Sequence, residues 1–368
     1  MRRFTNFLQQ DERERRDLKD RVNIAVIGAG YWGKKVISEY LALAKEDPGS
    51  SLFRVCDIQE QNLRHCDEFF QIPKDRLVNS YKELLHSDDV DAVHICTPNE
   101  THYQICKEFL IAGKHVLLEK PMTLNSQQAF ELMNLAEKDG LVLQVGYIFR
   151  FNNALREVRN LIRDRFFGDL YYLRLQWIDF IQPTPVRDII FDLGPHPIDI
   201  LNFLFGTWPS KVVCKAGAYT RETLPEMAYA TAQFDGKIMA NIELSWLHPK
   251  KERSVSIIGS ERCATVDCLN QSVEIFENRG KNGFKIDIQK NNTILAELTH
   301  FIEHIREGGM LVNGGHVGPM NILVLENLKR SLIEDRTIKV NYPLTESNIS
   351  KYVVDSYQTK NIKILERS

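Results

Sequence analysis

Three stretches of the chain combine residue types and spacings that can do chemistry. The first is Gly28-Ala29-Gly30-Tyr31-Trp32-Gly33, with an apolar run from Val22 to Ile27 before it and an amphipathic run from Trp32 to about Lys45 after it. Strand, glycine turn, helix is the context of a dinucleotide-binding fingerprint. Gly28 permits the tight turn, Gly30 lets the backbone approach a pyrophosphate, and Gly33 lets the helix pack close to the strand. The unpaired N–H groups and positive dipole end of that helix, with Tyr31 and Trp32 in its first turn, then face the phosphates. The second stretch is Glu119-Lys120-Pro121, a lysine between an acid and a proline. The third pairs Asp192 with His196. Histidine titrates near neutrality and suits general-base work. A spacing of four puts both side chains on one helical face, and even a helix that begins only at Pro195, a favoured first-turn residue, keeps them close.

The intervening elements must position these groups. A second apolar run, Leu52 to Cys56, ends in Asp57, at the distance from the glycines expected of a ribose-binding carboxylate. Asp57 would accept from both ribose hydroxyls and repel a 2′-phosphate, and Ile58-Gln59-Glu60-Gln61 offers no cation to that phosphate. NAD is therefore expected rather than NADP. Asp57 also suits a cap on the next helix, Gln59 to Phe70. Val90–Cys96, His115–Leu118 and Leu141–Val145 read as strands, and Asn99–Ala112 and Ser126–Asp139 as helices. Short apolar strands alternating with amphipathic helices imply a parallel sheet covered on both faces. Ligands bind at the carboxyl ends of such strands. Thr97-Pro98-Asn99 with His102, Glu119-Lys120-Pro121 and Gly146-Tyr147 fall there, although His102, on the first turn of a helix, also suits a structural role.

After Gly146 the pattern changes to a helix, Asn152–Asp164, a strand, Leu170–Ile178, a loop to Ile190 and a helix that starts near Asp192 to Pro195 and runs to Phe205. Strands at Lys211–Tyr219, Met227–Phe234, Lys237–Leu247, Ser254–Ile258, Cys263–Asp267, Ser272–Phe276 and Phe284–Ile288 follow without intervening helices, which implies an antiparallel sheet. Helices at Thr293–Arg306 and His316–Ile333 close the fold. The expected fold class is an α/β Rossmann domain followed by an α+β domain with a large open, mainly antiparallel sheet. The expected boundaries are a charged extension at 1–20, the NAD-binding domain at 21–147, a substrate-binding and oligomerisation domain at 148–342 and a polar tail at 343–368. Apolar side chains across 227–247 suggest a homodimer or homotetramer formed through that sheet.

With 368 residues, 43% of them hydrophobic, the chain is long enough for two cores. A formal charge of −2 gives no pull toward nucleic acid or membrane, and no apolar run is long enough to span a bilayer. Seven dispersed cysteines without CxxC spacing, and a charged N-terminus without a signal-peptide core, fit reduced thiols in the cytoplasm.

Taken together, the glycine turn, Thr97-Pro98-Asn99, Glu119-Lys120-Pro121 and Asp192-Leu193-Gly194-Pro195-His196 make the chain resemble the Gfo/Idh/MocA oxidoreductases over about residues 21 to 340. The resemblance implies hydride transfer between a nicotinamide and a sugar or polyol hydroxyl. It places the family's lysine on Lys120, beside a proline whose peptide bond is commonly cis, and its Asp–His pair on Asp192 and His196. It makes Gly146–Asn152, with Tyr147, Arg150 and Asn152, part of the substrate pocket. In that chemistry Lys120 would bond the reacting oxygen and stabilise the alkoxide, and Asp192 would orient the imidazole or bind a neighbouring hydroxyl. Lys120, its pKa lowered beside the cationic nicotinamide, and His196 both remain open as proton acceptor. Thr97, Pro98, Asn99, His102 and Glu119 would border the cofactor.

Trp246, His248, Lys250, Lys251 and Arg253 form a basic and aromatic cluster that is either a solvated strand end or a site for an anionic group such as a diphosphate, through Lys250 and Arg253. This run resembles the family's nucleotide-sugar branch, which implies a UDP-N-acetylglucosamine-type substrate oxidised at C3. A polyol or free-sugar dehydrogenase, and a non-catalytic cofactor-sensing regulator, are the alternatives. His300-Phe301-Ile302-Glu303-His304 has the H-x-x-E-H spacing of inverted zinc proteases. Its apolar residues read as the core face of an ordinary helix, no third ligand is evident, and no metal is expected.

Overall fold

The computed structural model describes residues 21–47, 49–182, 188–235, 238–277, 283–309 and 311–343. The expectations for 1–20 and for the tail beyond 343 lie outside these. The chain divides into two compact units. Of the described residues, the first comprises 21–123, Gln128–Gly146 and Ile294–Gly315, and the second comprises Leu124–Gln127, Tyr147–Thr293 and 316–343.

In the first unit, β1 (Val22–Ile27), α1 (Tyr31–Glu46), β2 (Ser50–Cys56), α2 (Glu60–Phe70), β3 (Leu77–Val78), α3 (Lys82–Leu85), β4 (Ala92–Ile95), α4 (Asn99–Ile111), β5 (His115–Leu118), α5 (Ser126–Lys138) and β6 (Leu143–Val145) follow in order. The six strands are all parallel and lie in the order β3-β2-β1-β4-β5-β6. This is the doubly wound order of dinucleotide-binding folds. β3 and α3 escape a reading by periodicity because two and four residues are too short to show any.

In the second unit, α6 (Asn153–Arg163), β7 (Leu170–Phe180), α7 (Ile189–Leu193), α8 (Pro195–Phe205), β8 (Lys211–Gly217), β9 (Met227–Gln233), β10 (Met239–Ser245), β11 (Leu247–Gly259), β12 (Arg262–Asp267), β13 (Ser272–Glu277) and β14 (Gly283–Ile286) come first. Then α9 (Thr293–Glu307) carries the chain back to the first unit, and α10 (Val317–Glu334) and β15 (Ile338–Lys339) complete the second. The sheet has nine strands, β14-β13-β12-β11-β7-β10-β9-β8-β15. Only β7 and β10 pair in parallel among these neighbours.

Two readings change. The segment Ile294–Gly315, assigned above to the second domain, packs with the first. Leu298, Phe301 and Ile302 share one buried cluster with Ile24, Val36, Ile37 and Val55. Asn313 adds to the edge of β6, its Nδ2 donating to the Val145 carbonyl at 2.7 Å. The helix read as starting near Asp192 to Pro195 starts at Pro195 and runs to Phe205, and a separate short helix, α7, ends just before Gly194, where a Cβ would fall 2.2 Å from the Ile190 carbonyl oxygen. Finally, β11 begins at Leu247, because the polar His248–Glu252 run extends the strand outward beside β7, with a register shift between Leu247 and Glu252.

Most apolar side chains of 227–247 face inward. Ala228, Ala230, Ala232, Ala240, Ile242 and Leu244 are buried, while Tyr229, Met239 and Asn241 are exposed. A mixed outer face, not an apolar one, is what the sheet offers.

The interior of the second unit holds a buried ion pair. Arg150 Nε donates to Asp199 Oδ1 at 2.7 Å and its Nη2 to Asn202 Oδ1 at 2.6 Å. Burial pushes the Asp199 carboxyl up to about 6 from its ordinary 3.8, with the Arg150 charge opposing it. Between those values the folded protein holds a proton that the unfolded chain has released, so this group's contribution to stability falls as pH rises through that window and is fully lost above it. Urea denaturation of wild type and Asp199→Asn from about pH 4 to pH 7 is expected to show the stability difference moving against the wild type, by up to about 3 kcal/mol. A difference independent of pH would show that Asp199 is ionised throughout.

Candidate active site

In the first unit the glycine turn is built by close approach. Gly28 has φ +96°, and a Cβ there would lie 2.7 Å from the Cys96 carbonyl oxygen. A Cβ on Gly33 would lie 1.9 Å from the Gly28 carbonyl oxygen. Neither position admits a side chain. Gly30 differs, since a Cβ there would meet nothing within 4 Å. Gly30 caps the 16-residue α1 with no side-chain bond, and no acid stands in the first turn. The helix therefore opens at Gly30 toward free space, the cradle that a pyrophosphate fills. Asp57 stands beside it. Its Oδ2 accepts from Ala29 N at 2.7 Å and from Asn62 Nδ2 at 3.1 Å, and its Oδ1 from Gln59 N at 2.8 Å. It thus anchors the turn and the entry to α2 at once, and one carboxylate still has acceptor capacity for a ribose hydroxyl.

Tyr31 is 81% exposed, and Lys35 Nζ donates to its hydroxyl at 2.9 Å. Trp32 points the other way, its indole N–H donating to Glu119 Oε1. Glu119 also accepts from His94 Nε2 at 3.3 Å and from Lys120 N at 3.3 Å, and Tyr40 bonds His94 Nδ1 at 3.4 Å. Glu119 is thus a buried junction next to Lys120. Lys120 itself is half-buried, and its bond to Pro121 is cis. Thr97 Oγ1 accepts from Thr101 Oγ1 at 2.7 Å, Pro98 caps α4 and Asn99 begins it. His102 is wholly buried between two main-chain carbonyls. His94 escaped the sequence reading, although a titratable side chain inside the apolar strand Ala92–Ile95 is itself a signal.

In the second unit Asp192 lies on α7, and His196 on the first turn of α8 just after Pro195. The imidazole is half-buried against two aromatic rings, Phe149 at 5.0 Å and Trp177 at 6.3 Å. Four residues read from the sequence as substrate contacts are buried and hydrogen-bonded within the second unit or fully enclosed. Tyr147 is fully buried, Arg150 is held by Asp199 and Asn202, and Asn152 caps α6 by accepting from Leu155 N at 3.2 Å while donating to the Cys268 carbonyl at 2.9 Å. Arg253 is buried over Trp177, with Nη1 donating to the carbonyls of Ile178 at 2.6 Å and Glu252 at 2.9 Å. Burial works against its charge, and Asp179 and Asp192 support it. Lys250 is exposed on β11. On α9, His304 Nδ1 faces the His300 carbonyl at 2.8 Å and Val312 N donates to His300 Nε2 at 3.2 Å.

A doubly wound unit with an open phosphate cradle and a lysine at its carboxyl edge, followed by a broad mainly antiparallel sheet, defines a nicotinamide-dependent oxidoreductase. Residues 22–147 match the oxidoreductase family with an NAD-binding Rossmann fold, and residues 155–265 match the GFO/IDH/MocA C-terminal domain. The chain belongs to the GFO/IDH/MocA family and is an NAD-dependent dehydrogenase. It is 28% identical over 289 residues to the UDP-N-acetylglucosamine 3-dehydrogenase of Acidithiobacillus ferrooxidans, covering 76% of this chain and 87% of that one. A solved structure of that enzyme superposes with a TM-score of 0.75 at 26% identity, over 85% of this chain and 98% of the other. The myo-inositol 2-dehydrogenase of Thermotoga maritima is 23% identical over 340 residues, covering 87% and 98%. No helix among the described residues is long and apolar enough to cross a membrane.

The open space at Gly30 makes a direct test. Gly30→Ala is expected to leave the melting temperature of the cofactor-free protein within about 1 °C of wild type while weakening NAD affinity by about tenfold or more. Unchanged NAD affinity by calorimetry would remove the turn from the cofactor site.

Proposed function

We propose that the protein oxidises a secondary hydroxyl of a nucleotide sugar of the UDP-N-acetylglucosamine type, at C3. The observation that carries this is the similarity to the 3-dehydrogenase over 87% of that enzyme's length. The intact set of Lys120, Asp192 and His196 supports it. Gly28, Gly30, Gly33 and Asp57 would hold the cofactor, with the Thr97-Pro98-Asn99 turn at its nicotinamide end. Bound NAD supplies the hydride acceptor. Lys120 donates a hydrogen bond to the reacting oxygen and stabilises negative charge as it develops there. Its main-chain N–H is tied to Glu119, which fixes where the side chain starts. His196 and Lys120 are the two candidates for taking the hydroxyl proton, and Asp192 is the orienting acid. The aromatic faces of Phe149 and Trp177 limit rotation of the imidazole. Exposed Lys250 is the cation of the β11 cluster free to meet a diphosphate, whereas Arg253 is buried over Trp177. The likeness to myo-inositol 2-dehydrogenase favours a second reading, a polyol dehydrogenase.

Lys120→Ala is expected to keep NAD affinity and lose about 100-fold or more in kcat. A turnover panel of UDP-sugars, inositol and free hexoses with NAD tests the substrate. Efficient reduction of NAD by inositol or glucose, with UDP-sugars neither bound nor oxidised, would reject the nucleotide-sugar reading.

A homo-oligomer joined through the outer sheet face of the second unit is part of the same proposal, as is a cytoplasmic setting. Exposed Tyr172, Tyr229 and Met239 on adjacent strands β7, β9 and β10 support the contact. Light scattering after size exclusion should give a dimer or tetramer mass, and Tyr229→Glu should shift it toward monomer. A monomer mass for the wild type would remove the proposal.

A further inference from the structure

Hydride transfer tolerates little error in distance, so Lys120 has to be held in register with the turn that borders the nicotinamide end. His102 joins the two. It stands in the first turn of α4 with no exposed surface. Its Nδ1 lies 2.8 Å from the Pro121 carbonyl oxygen, and its Nε2 lies 2.9 Å from the Thr97 carbonyl oxygen. Both partners are main-chain oxygens, which only accept. A neutral imidazole carries one N–H and one lone pair, so it can donate to one carbonyl while turning a lone pair toward the other. An imidazolium donates to both.

We propose that His102 is a positioning residue whose ring ties the Thr97 turn to the segment behind Lys120, and that its second proton decides whether both ends are held. The proposal rests on Lys120 acting on the reacting oxygen. Glu119 and Lys120 are the charged groups that bear on the ring. Burial pulls its pKa below the ordinary value, the Pro121 and Thr97 carbonyls and then Glu119 oppose that, and Lys120 adds to it. The doubly held state therefore belongs to the acid side of the titration. As pH rises, one N–H is lost, one carbonyl is released, and the turn and the lysine segment uncouple. His102 thus acts on the reaction through the main chain and does not touch the cofactor.

Long-range nitrogen NMR of the NAD-free protein reads this without any turnover. The His102 ring is expected to show two protonated nitrogens at the acid end and one after titration, and the pH profile of kcat to carry a limb at the same midpoint. At a pH below that midpoint, His102→Ala is expected to lower kcat by about 100-fold with NAD affinity changed less than about threefold. His102→Gln, whose amide can donate at one end, should recover part of the loss and abolish that limb. Three results would overturn the proposal: a ring that stays neutral between about pH 5 and pH 9, folded variants that keep kcat within about twofold, or NAD affinity that falls in step with kcat. An active Lys120→Ala enzyme would instead remove the reading of Lys120, and the NMR and affinity measurements would still decide whether His102 braces the turn.

Discussion

The cofactor end of this protein depends on a steric constraint, the absence of side-chain volume at Gly28 and Gly33. The carbonyl of Gly28 lies so near the α-carbon of Gly33 that even a methyl group would overlap it. That contact pins the start of α1 against the end of β1. Once it is pinned, Ala29 N reaches Asp57, and Trp32 reaches Glu119. Glu119 in turn holds the main chain of Lys120. A run of polar contacts thus passes from the phosphate cradle to the lysine, and each step needs the previous one in place. Hydrogen bonds lose strength steeply with misalignment, so displacement of α1 would be felt along the whole run.

The second unit solves its positioning problem differently. Its polar interior is tied by guanidinium forks, Arg150 to Asp199 and Asn202, and Arg253 to the carbonyls of Ile178 and Glu252. Arginine suits both places because its planar donors engage several acceptors in fixed directions, which a lysine ammonium does not. Such buried charges contribute little net stability, because desolvation offsets the attraction. What they supply is geometry. Arg253 lies over Trp177, and Trp177 and Phe149 flank His196 at tilted and edge-on angles, so the imidazole is backed by aromatic rings with a cation behind them.

Periodicity made much of this legible in the residues. The bounds read for Val22–Ile27 and His115–Leu118 are those observed, because apolar runs flanked by turn residues leave little choice of register. The glycine turn was legible because each glycine answers a different local demand. The roles of Arg150, Asn152 and Arg253 were not. A polar residue in a pocket-lining stretch and one that caps a helix or spans two strands look alike in one dimension, and only the partner distinguishes them. For Arg150 that partner is Asp199, 49 positions away. Likewise α9 carries the amphipathic pattern of any surface helix, and no local signal says which unit its apolar face will cover.

The return of α9 bears on how the protein is made. The core around Ile24, Val36 and Val55 is completed by Leu298, Phe301 and Ile302. A ribosome releases the chain from its N-terminus, so the six strands of the first sheet emerge long before the residues that close their core. During that interval a face meant for α9 stands uncovered while eight of the nine strands of the second sheet are synthesised. Exposed apolar surface of this kind is where chaperones bind and aggregation begins. The nascent chain therefore carries an unfinished first unit through most of its synthesis, and a fragment cut at the end of β6 would keep that unfinished state permanently.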